Sequence, residues 1–181
     1  MARYAVELPG AAIRYDPNWL GSEAASALFE ALRAALPWER HRITVYGRSL
    51  EAPRLSCWIG DAAYTYSRTR FEPHPWPPVL AEVRERLEDE LDAGFNSVLA
   101  NLYRDCNDRL GFHRDSEPEL GPEPLIASIS LGATRRFRLR EREGRGSYGI
   151  DLQHGSLLVM AGATQRHWLH AVPQTARVVG P

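Results

Sequence analysis

Three observations on this 181-residue sequence predict a mainly β, α+β fold: an antiparallel sandwich or jelly roll with helices packed on one side. Helical periodicity is confined to the first half of the chain. After Gly94 the apolar period changes to two. Short segments of that kind then follow one another, separated by Gly, Pro, Asp and Asn turns. Helices first and many short strands after them call for two layers closed around one core.

From Ser22 to Leu36 the spacing predicts a helix, with Ser22 as cap, Glu23 in the first turn, and Leu28, Phe29, Leu32 and Leu36 as the apolar stripe. Pro37 ends it. Segment 43–55 reads as a hairpin turning near Gly47, with Val45 and Tyr46 at its tip. A second helix is predicted from Pro78 to Asp92, with Val79, Leu80, Val83, Leu87 and Leu91 on one face and Gly94 as its stop. Segments 97–103, 125–131, 135–140, 155–160, 167–172 and 176–179 are predicted strands.

Composition bounds the function. With 44% hydrophobic and 25% charged residues the chain carries enough apolar material for a core, which excludes intrinsic disorder. Its length fits a single domain spanning 1–181 and a monomer. A net charge of −1 excludes a bulk polycation, so any nucleic-acid surface must be local. All 22 basic residues are arginine, which a GC-rich genome explains as well as a phosphate-binding role does. Cys57 and Cys106 form neither a C-x-x-C pair nor a disulfide framework, in keeping with a reducing compartment. Without a signal-peptide core or a long apolar run, a cytoplasmic protein with no membrane partner is expected.

His113-Arg114-Asp115 is the most informative tripeptide. On an extended chain residues i and i+2 project to one side, so an imidazole and a carboxylate can converge on one ion. A further histidine would complete the two-histidine, one-carboxylate face of non-haem Fe(II) oxygenases, which leaves three cis positions open. An ordinary surface loop also produces H-x-D. Two histidines downstream, His167 and His170, have opposite strand parity, so only one can face such a site. His154, beside Gly155, reads as a turn residue.

Other pairs carry two readings each. Asn101 and Tyr103 leave a strand on one face, as a ligand pocket or as core packing. Tyr64 and Tyr66 do the same, as a core-facing strand side or, by resemblance to the stacking element of a base-modifying family, as base-stacking groups, with Trp58 a further stacking candidate. Residues 135–145 hold six arginines, and from Arg136 to Arg142 they alternate with Phe137, Leu139 and Glu141. One strand face, with Arg136, Arg138 and Arg140, is therefore almost purely basic: a solvated face or a phosphate-binding one. Tyr46 at an exposed turn fits an intercalating wedge, or folds back onto the sheet.

Longer stretches point to one family. The runs from Phe95 to Asp105, Gly111 to Pro118, Ile126 to Ala133, His154 to Met160 and His167 to Pro173 closely resemble the AlkB family, as do Pro53-Arg54-Leu55 and Tyr64-Thr65-Tyr66-Ser67. The resemblance runs in order from about residue 41 to the end. It implies a double-stranded β-helix (jelly roll) that uses Fe(II), 2-oxoglutarate and O2. Its expected activity is DNA repair by oxidative demethylation of alkylated bases, of the 1-methyladenine or 3-methylcytosine type, in DNA or RNA. It makes His113, Asp115 and His170 the iron ligands and Asn101 and Tyr103 co-substrate contacts. It gives Glu117 the base-reading place that relatives fill with a second acidic residue. The Val45-Tyr46-Gly47-Arg48 run resembles the finger hairpin of homologues that act on duplex DNA. The domain is expected to stop just before the family's R-x-N-x-T-F-R strand, whose arginines hold the far carboxylate of 2-oxoglutarate. Two other classes stay in view: an oxygenase acting on protein or a small molecule, and a catalytically impaired nucleic-acid-binding remnant.

Overall fold

The computed structural model describes residues 3–45, 48–66 and 69–181, and their side chains outside 43–49 and 64–71. In chain order the elements are β1 (Tyr4–Ala5), β2 (Ala12–Asp16), α1 (Ser22–Ala35), β3 (Arg42–Val45), β4 (Arg48–Glu51), β5 (Leu55–Gly60), β6 (Tyr64–Tyr66) and β7 (Thr69–Phe71). Then follow α2 (Pro78–Leu91), β8 (Ser97–Leu102), β9 (Leu110–His113), a 3-10 turn (Pro118–Leu120) and β10 (Ile126–Ser130). The chain ends with β11 (Arg135–Glu141), β12 (Ser147–Leu152), β13 (Ser156–Ala161), α3 (Thr164–His167) and β14 (Trp168–Val172). The protein is mainly β with few helices, as its sequence predicts.

Two compact units can be distinguished, one of Met1–Phe29 with Asp105–Pro181 and one of Glu30–Arg104. The first contains two antiparallel four-stranded sheets, in the orders β1-β2-β13-β10 and β12-β11-β14-β9. In β13 every residue from Ser156 to Met160 is buried, so this strand has no polar face. β11 alternates instead: Arg135, Phe137 and Leu139 are buried, and Arg136, Arg138 and Arg140 are exposed. A buried tyrosine links the two sheets. Tyr15 of β2 donates its hydroxyl to the Asp151 carbonyl (2.8 Å) and accepts the Gln153 N–H (3.0 Å). This satisfies a polar atom that burial would otherwise penalise.

In the second unit β5 pairs antiparallel with β8, from Leu55↔Leu102 to Gly60↔Ser97. Leu36, Cys57, Ile59 and Leu80 form its core, packed by Leu32, Trp38, Trp76, Val98 and Ala100. Burial pushes the Cys57 thiol up to about 11, with Glu39 adding to the shift, so this cysteine behaves as a small apolar group. β3 and β4 pair as the predicted hairpin, ending sooner than expected, at Glu51. Its tip, with Tyr46, lies outside the described residues.

Four expectations need correction. Segment 176–179 is not a strand. Thr175 donates its N–H to the Cys106 carbonyl, the Arg177 N–H turns back to the Thr175 hydroxyl, and Val178 is 96% exposed. Local side-chain bonds of this kind compete with ladder formation. The 167–172 strand begins only at Trp168, because Thr164–His167 closes one helical turn first. α2 runs from Pro78 to Leu91, within a residue of the expected bounds, but its cap is Asp92 and not Gly94. Asp92 takes the left-handed conformation (φ 50°), which a short polar side chain tolerates. The first helix starts with Ser22 inside it, since Ala25 N–H already bonds the Gly21 carbonyl.

Gly155 turns the chain from β12 into β13 at φ +78°. A Cβ there would lie 2.6 Å from the Leu20 carbonyl oxygen, and Leu20 N–H bonds the Gly155 carbonyl in return. Gly155→Ala should therefore lower the unfolding free energy by about 1–3 kcal/mol. Gly94→Ala, where a Cβ would meet nothing within 4 Å, should stay close to wild type. Urea midpoints of the two variants check this, and similar losses in both would show that Gly155 is dispensable.

Candidate metal centre

β9 and β14 are antiparallel neighbours in the second sheet, with His113 directly opposite His170. Between that pair and the next, Leu110↔Val172, three steps along β9 answer two along β14, which is a bulge. Bulges beside sites re-aim side chains. Here the two imidazoles meet edge to face, with ring centroids 4.2 Å apart. Asp115 follows two residues after His113, past the end of β9. Its Oδ1 lies 3.6 Å from His113 Nε2 and its Oδ2 3.4 Å from His170 Nε2. One ligand atom from each of the three residues lies within 4.8 Å of the others. Among the described residues no other such group of His, Cys, Asp or Glu occurs.

Each side chain is held. The Nδ1–H of His113 donates to the Gly111 carbonyl (2.9 Å), which leaves the Nε2 lone pair facing Asp115. His170 is 6% exposed and stacks on Phe137 (centroids 5.4 Å, planes 22° apart). Burial, and then His113, pushes the His170 pKa down to about 3, so its ring is neutral at neutral pH, the form that binds metals. Burial raises the pKa of Asp115 and Glu117 adds to the rise, while His113 opposes it. A neutral acceptor nitrogen and a carboxylate converging on one point are complementary to a cation. Metal bonds of about 2.0–2.2 Å would bring cis ligand atoms to roughly 3 Å. The observed separations are a small contraction away.

A buried arginine braces these strands. Arg135, 8% exposed at the start of β11, donates to the carbonyls of Asp105 (3.2 Å), Asp108 (2.7 Å) and Pro173 (2.9 Å). It thereby fixes the segment that leads into β9 to the one that leaves β14. Sequence reasoning counted Arg135 among the six arginines of residues 135–145, outside the basic face, and gave it no role. The strand parity it shares with Phe137 and Leu139 was the available signal.

His167 is not on the strand but in α3, where its ring packs over Gly10. Its place in a helical turn, rather than strand parity, separates it from the centre. His154 is the turn residue expected, accepting the Gly132 N–H at Nδ1 (2.9 Å), with Nε2 3.1 Å from the Ser26 hydroxyl. Glu117 is half-buried at the head of the 3-10 turn, with the Ser116 N–H on its carboxylate. On the β11 face, Arg136 pairs with Asp151 of β12 (3.0 Å), and the Arg140 guanidinium lies 4.1 Å from the centre of the Phe112 ring. Arg138 reaches the Ser147 hydroxyl at 3.5 Å. The basic face is thus neutralised at one of its three positions.

In the other unit, Asn101 pairs with Ser56 in the β5–β8 ladder, and Tyr103 lies just past β8. Arg54, 5% exposed, donates its Nε–H to Asn101 Oδ1 (2.6 Å) and was not foreseen as a partner. Trp58 is 8% exposed and donates its indole N–H to the Ala62 carbonyl, a core position within this unit. Tyr64 and Tyr66 lie on β6, paired to Phe71 and Thr69 of β7.

Two histidines on neighbouring strands and a carboxylate just past one of them could hold one divalent metal ion with open positions. The sequence pattern of the 2OG-Fe(II) oxygenase superfamily matches residues 12–180. The chain belongs to that superfamily and, within it, to the AlkB family, whose cofactor is Fe(II) and whose co-substrates are 2-oxoglutarate and O2. It is 41% identical over 168 residues to alpha-ketoglutarate-dependent dioxygenase alkB homolog 3 of Bos taurus, covering 87% of this chain and 59% of that protein. To DNA oxidative demethylase ALKBH2 of Mus musculus it is 41% identical over 150 residues, covering 77% and 63%. The chain thus spans about three-fifths of the length of these curated relatives. The solved structure of OsALKBH1 aligns over 97% of this chain and 89% of its own, with a TM-score of 0.64 at 16% identity, a likeness of fold. Among the described residues no helix is long and apolar enough to cross a membrane.

Arg135→Met should cost about 1–3 kcal/mol of stability, chiefly because it strands the buried Asp108 carbonyl, while the Asp105 and Pro173 carbonyls are only part-buried. Thermal or urea unfolding of the metal-free protein checks this. An unchanged midpoint would mean that the brace contributes nothing.

Proposed function

We propose that the protein oxidatively dealkylates N-alkylated bases in DNA or RNA, of the 1-methyladenine or 3-methylcytosine type, within a double-stranded β-helix. The convergence of His113, Asp115 and His170 carries this reading, together with the names of its relatives, which are a 2-oxoglutarate-dependent dioxygenase and a DNA oxidative demethylase. In this reading the three side chains hold Fe(II). Bound with 2-oxoglutarate and O2, the metal supplies a two-electron oxidation that leaves succinate and CO2 and delivers one oxygen atom to the substrate.

The residues of the chain then have stated tasks. His113 and His170 bind as neutral imidazoles, and Asp115 contributes the single negative charge. Asn101, with its amide oxygen held by Arg54, and Tyr103 bind the co-substrate. Tyr64 and Tyr66 sandwich the extruded base, as chemistry on a base requires. Glu117, beside Asp115, reads its polar edge, and Tyr46 fills the gap left in a duplex. Hydroxylation converts the N-methyl group to N-hydroxymethyl. Cleavage of its C–N bond then releases formaldehyde and restores the base.

Arg136, Arg138 and Arg140 are proposed to face phosphates. Their exposure on one face of β11 supports this, and the ion pair of Arg136 with Asp151 makes Arg138 and Arg140 the stronger contributors.

The deciding experiment is formaldehyde release from an oligonucleotide carrying 1-methyladenine or 3-methylcytosine. Release should require Fe(II) and 2-oxoglutarate. It should fall to background in His113→Ala, Asp115→Ala and His170→Ala, while His167→Ala stays active. Turnover of 2-oxoglutarate without formaldehyde from any methylated oligonucleotide would favour a protein or small-molecule substrate. Binding of the oligonucleotide without turnover would favour the binder reading. A second measurement concerns the basic face. Replacing Arg136, Arg138 and Arg140 with Ala should reduce the slope of log affinity against log salt by up to about 0.9 for each phosphate no longer neutralised. An unchanged slope would return β11 to being a solvated face.

A further inference from the structure

Asp115 presents a local problem of satisfaction. β9 stops at His113, and continuing the register His113↔His170 would pair residue 115 with residue 168, but the ladder does not extend that far. The backbone N–H of Asp115 therefore leaves the sheet in a place where its own side chain is more than three-quarters covered. An amide proton abandoned there would cost about 1–3 kcal/mol, which would pull the segment toward another conformation.

The proton is taken by a side chain from α3. Gln165 is 3% exposed, and its Oε1 accepts the Asp115 N–H at 3.1 Å. Its Nε2 points at the Met160 sulfur (3.7 Å), which orients the amide with oxygen toward Asp115. The residue before it is anchored equally firmly. Thr164, 1% exposed, donates its hydroxyl to the Ala161 carbonyl (2.6 Å) and accepts the Ala12 N–H (2.9 Å). The single turn of α3 is thereby fixed to β2 and β13, and the Gln165 amide projects from a fixed base. Five residues further on stands His170.

We propose that Gln165 is a positioning residue for the metal centre: its amide oxygen replaces the missing ladder partner of Asp115 and sets the carboxylate between the two histidines. A glutamine buried in a four-residue helical turn is costly to keep for packing alone. Leucine or methionine would fill the same space without the cost of burying an amide. The inference rests on the reading of His113, Asp115 and His170 as metal ligands, and its test separates the two.

Co(II) binding to the protein, followed by calorimetry and by the visible absorption of the bound ion, reads ligand geometry directly. Asp115→Ala should abolish binding. Gln165→Met, which keeps the shape and removes the acceptor, should weaken Co(II) roughly 10–100-fold, the usual cost of removing a group behind a ligand, and alter the visible bands. Gln165→Glu keeps an oxygen at the same reach and should recover most of the affinity. Wild-type affinity and bands in Gln165→Met, with Asp115→Ala inactive in binding, would overturn this inference alone. Equal weakening in the Met and Glu variants would overturn it too, by showing a role other than acceptor. Full Co(II) binding by Asp115→Ala would overturn the ligand reading, and this inference with it. Should Gln165→Met fail to fold, the Asp115 amide in the metal-free wild type decides: its hydrogen exchange should be protected, and exchange at an unprotected rate would overturn the assignment.

Discussion

The pairing of β9 with β14 is the constraint on which the candidate centre depends. It places His113 opposite His170, and the bulge beside that pair lets both rings tilt toward Asp115 instead of projecting in parallel from the sheet. Neither strand could keep this register alone, since β9 has four residues and β14 five. The ladder on the other side of β14 helps, with Leu139 opposite His170 and Phe137 stacked on its ring. Arg135 closes the far end by gathering three carbonyls from the flanking segments. The centre is thus rigid for reasons of backbone pairing first and side-chain packing second.

What could be read from the sequence follows from which signals are local. Both long helices were legible because their apolar stripes lie within one segment, and β11 because its alternation is complete. β5 and β12 were missed. Four successive residues of β5 are buried, which erases the period of two, and β12 carries Gly149 in its middle. β9 is too short to show a pattern. At the centre, His113 and Asp115 were legible through their spacing, whereas His170 needed the family resemblance to be preferred over His167. The reason His167 is unsuited, its place in a helical turn over Gly10, is tertiary. Gln165, Arg54 and Arg135 act by hydrogen bonds to residues distant in sequence, and no local pattern announces such bonds.

The basic face illustrates how a chain of net charge −1 can still concentrate positive charge. Strand alternation turns every second residue of β11 outward, which here means Arg136, Arg138 and Arg140, and the neighbouring strand removes some of the resulting field through Asp151. Arg140 loses less, since its guanidinium is stacked on Phe112 and keeps edges free for acceptors. The charge that remains is a property of one sheet face. Its effect would be felt within about a Debye length of ~8–10 Å, so it bears on contact rather than on long-range steering.

The charge of the donor set also matches the chemistry of the family. Burial keeps His170 neutral, and Asp115 supplies one negative charge, so a divalent ion there would retain a net charge of about +1. That residual charge favours an anionic chelating co-substrate such as 2-oxoglutarate. Thiolates in place of the imidazoles would cancel it, as they do in closed structural zinc sites. Glu117 is a nearby group able to change this balance. Its carboxylate is already engaged by the Ser116 N–H and raises the pKa of Asp115. A bound cation would offset this negative charge. Burial first and Glu117 second disfavour the Asp115 carboxylate in the metal-free centre, and a divalent ion between the ligands would favour both charges.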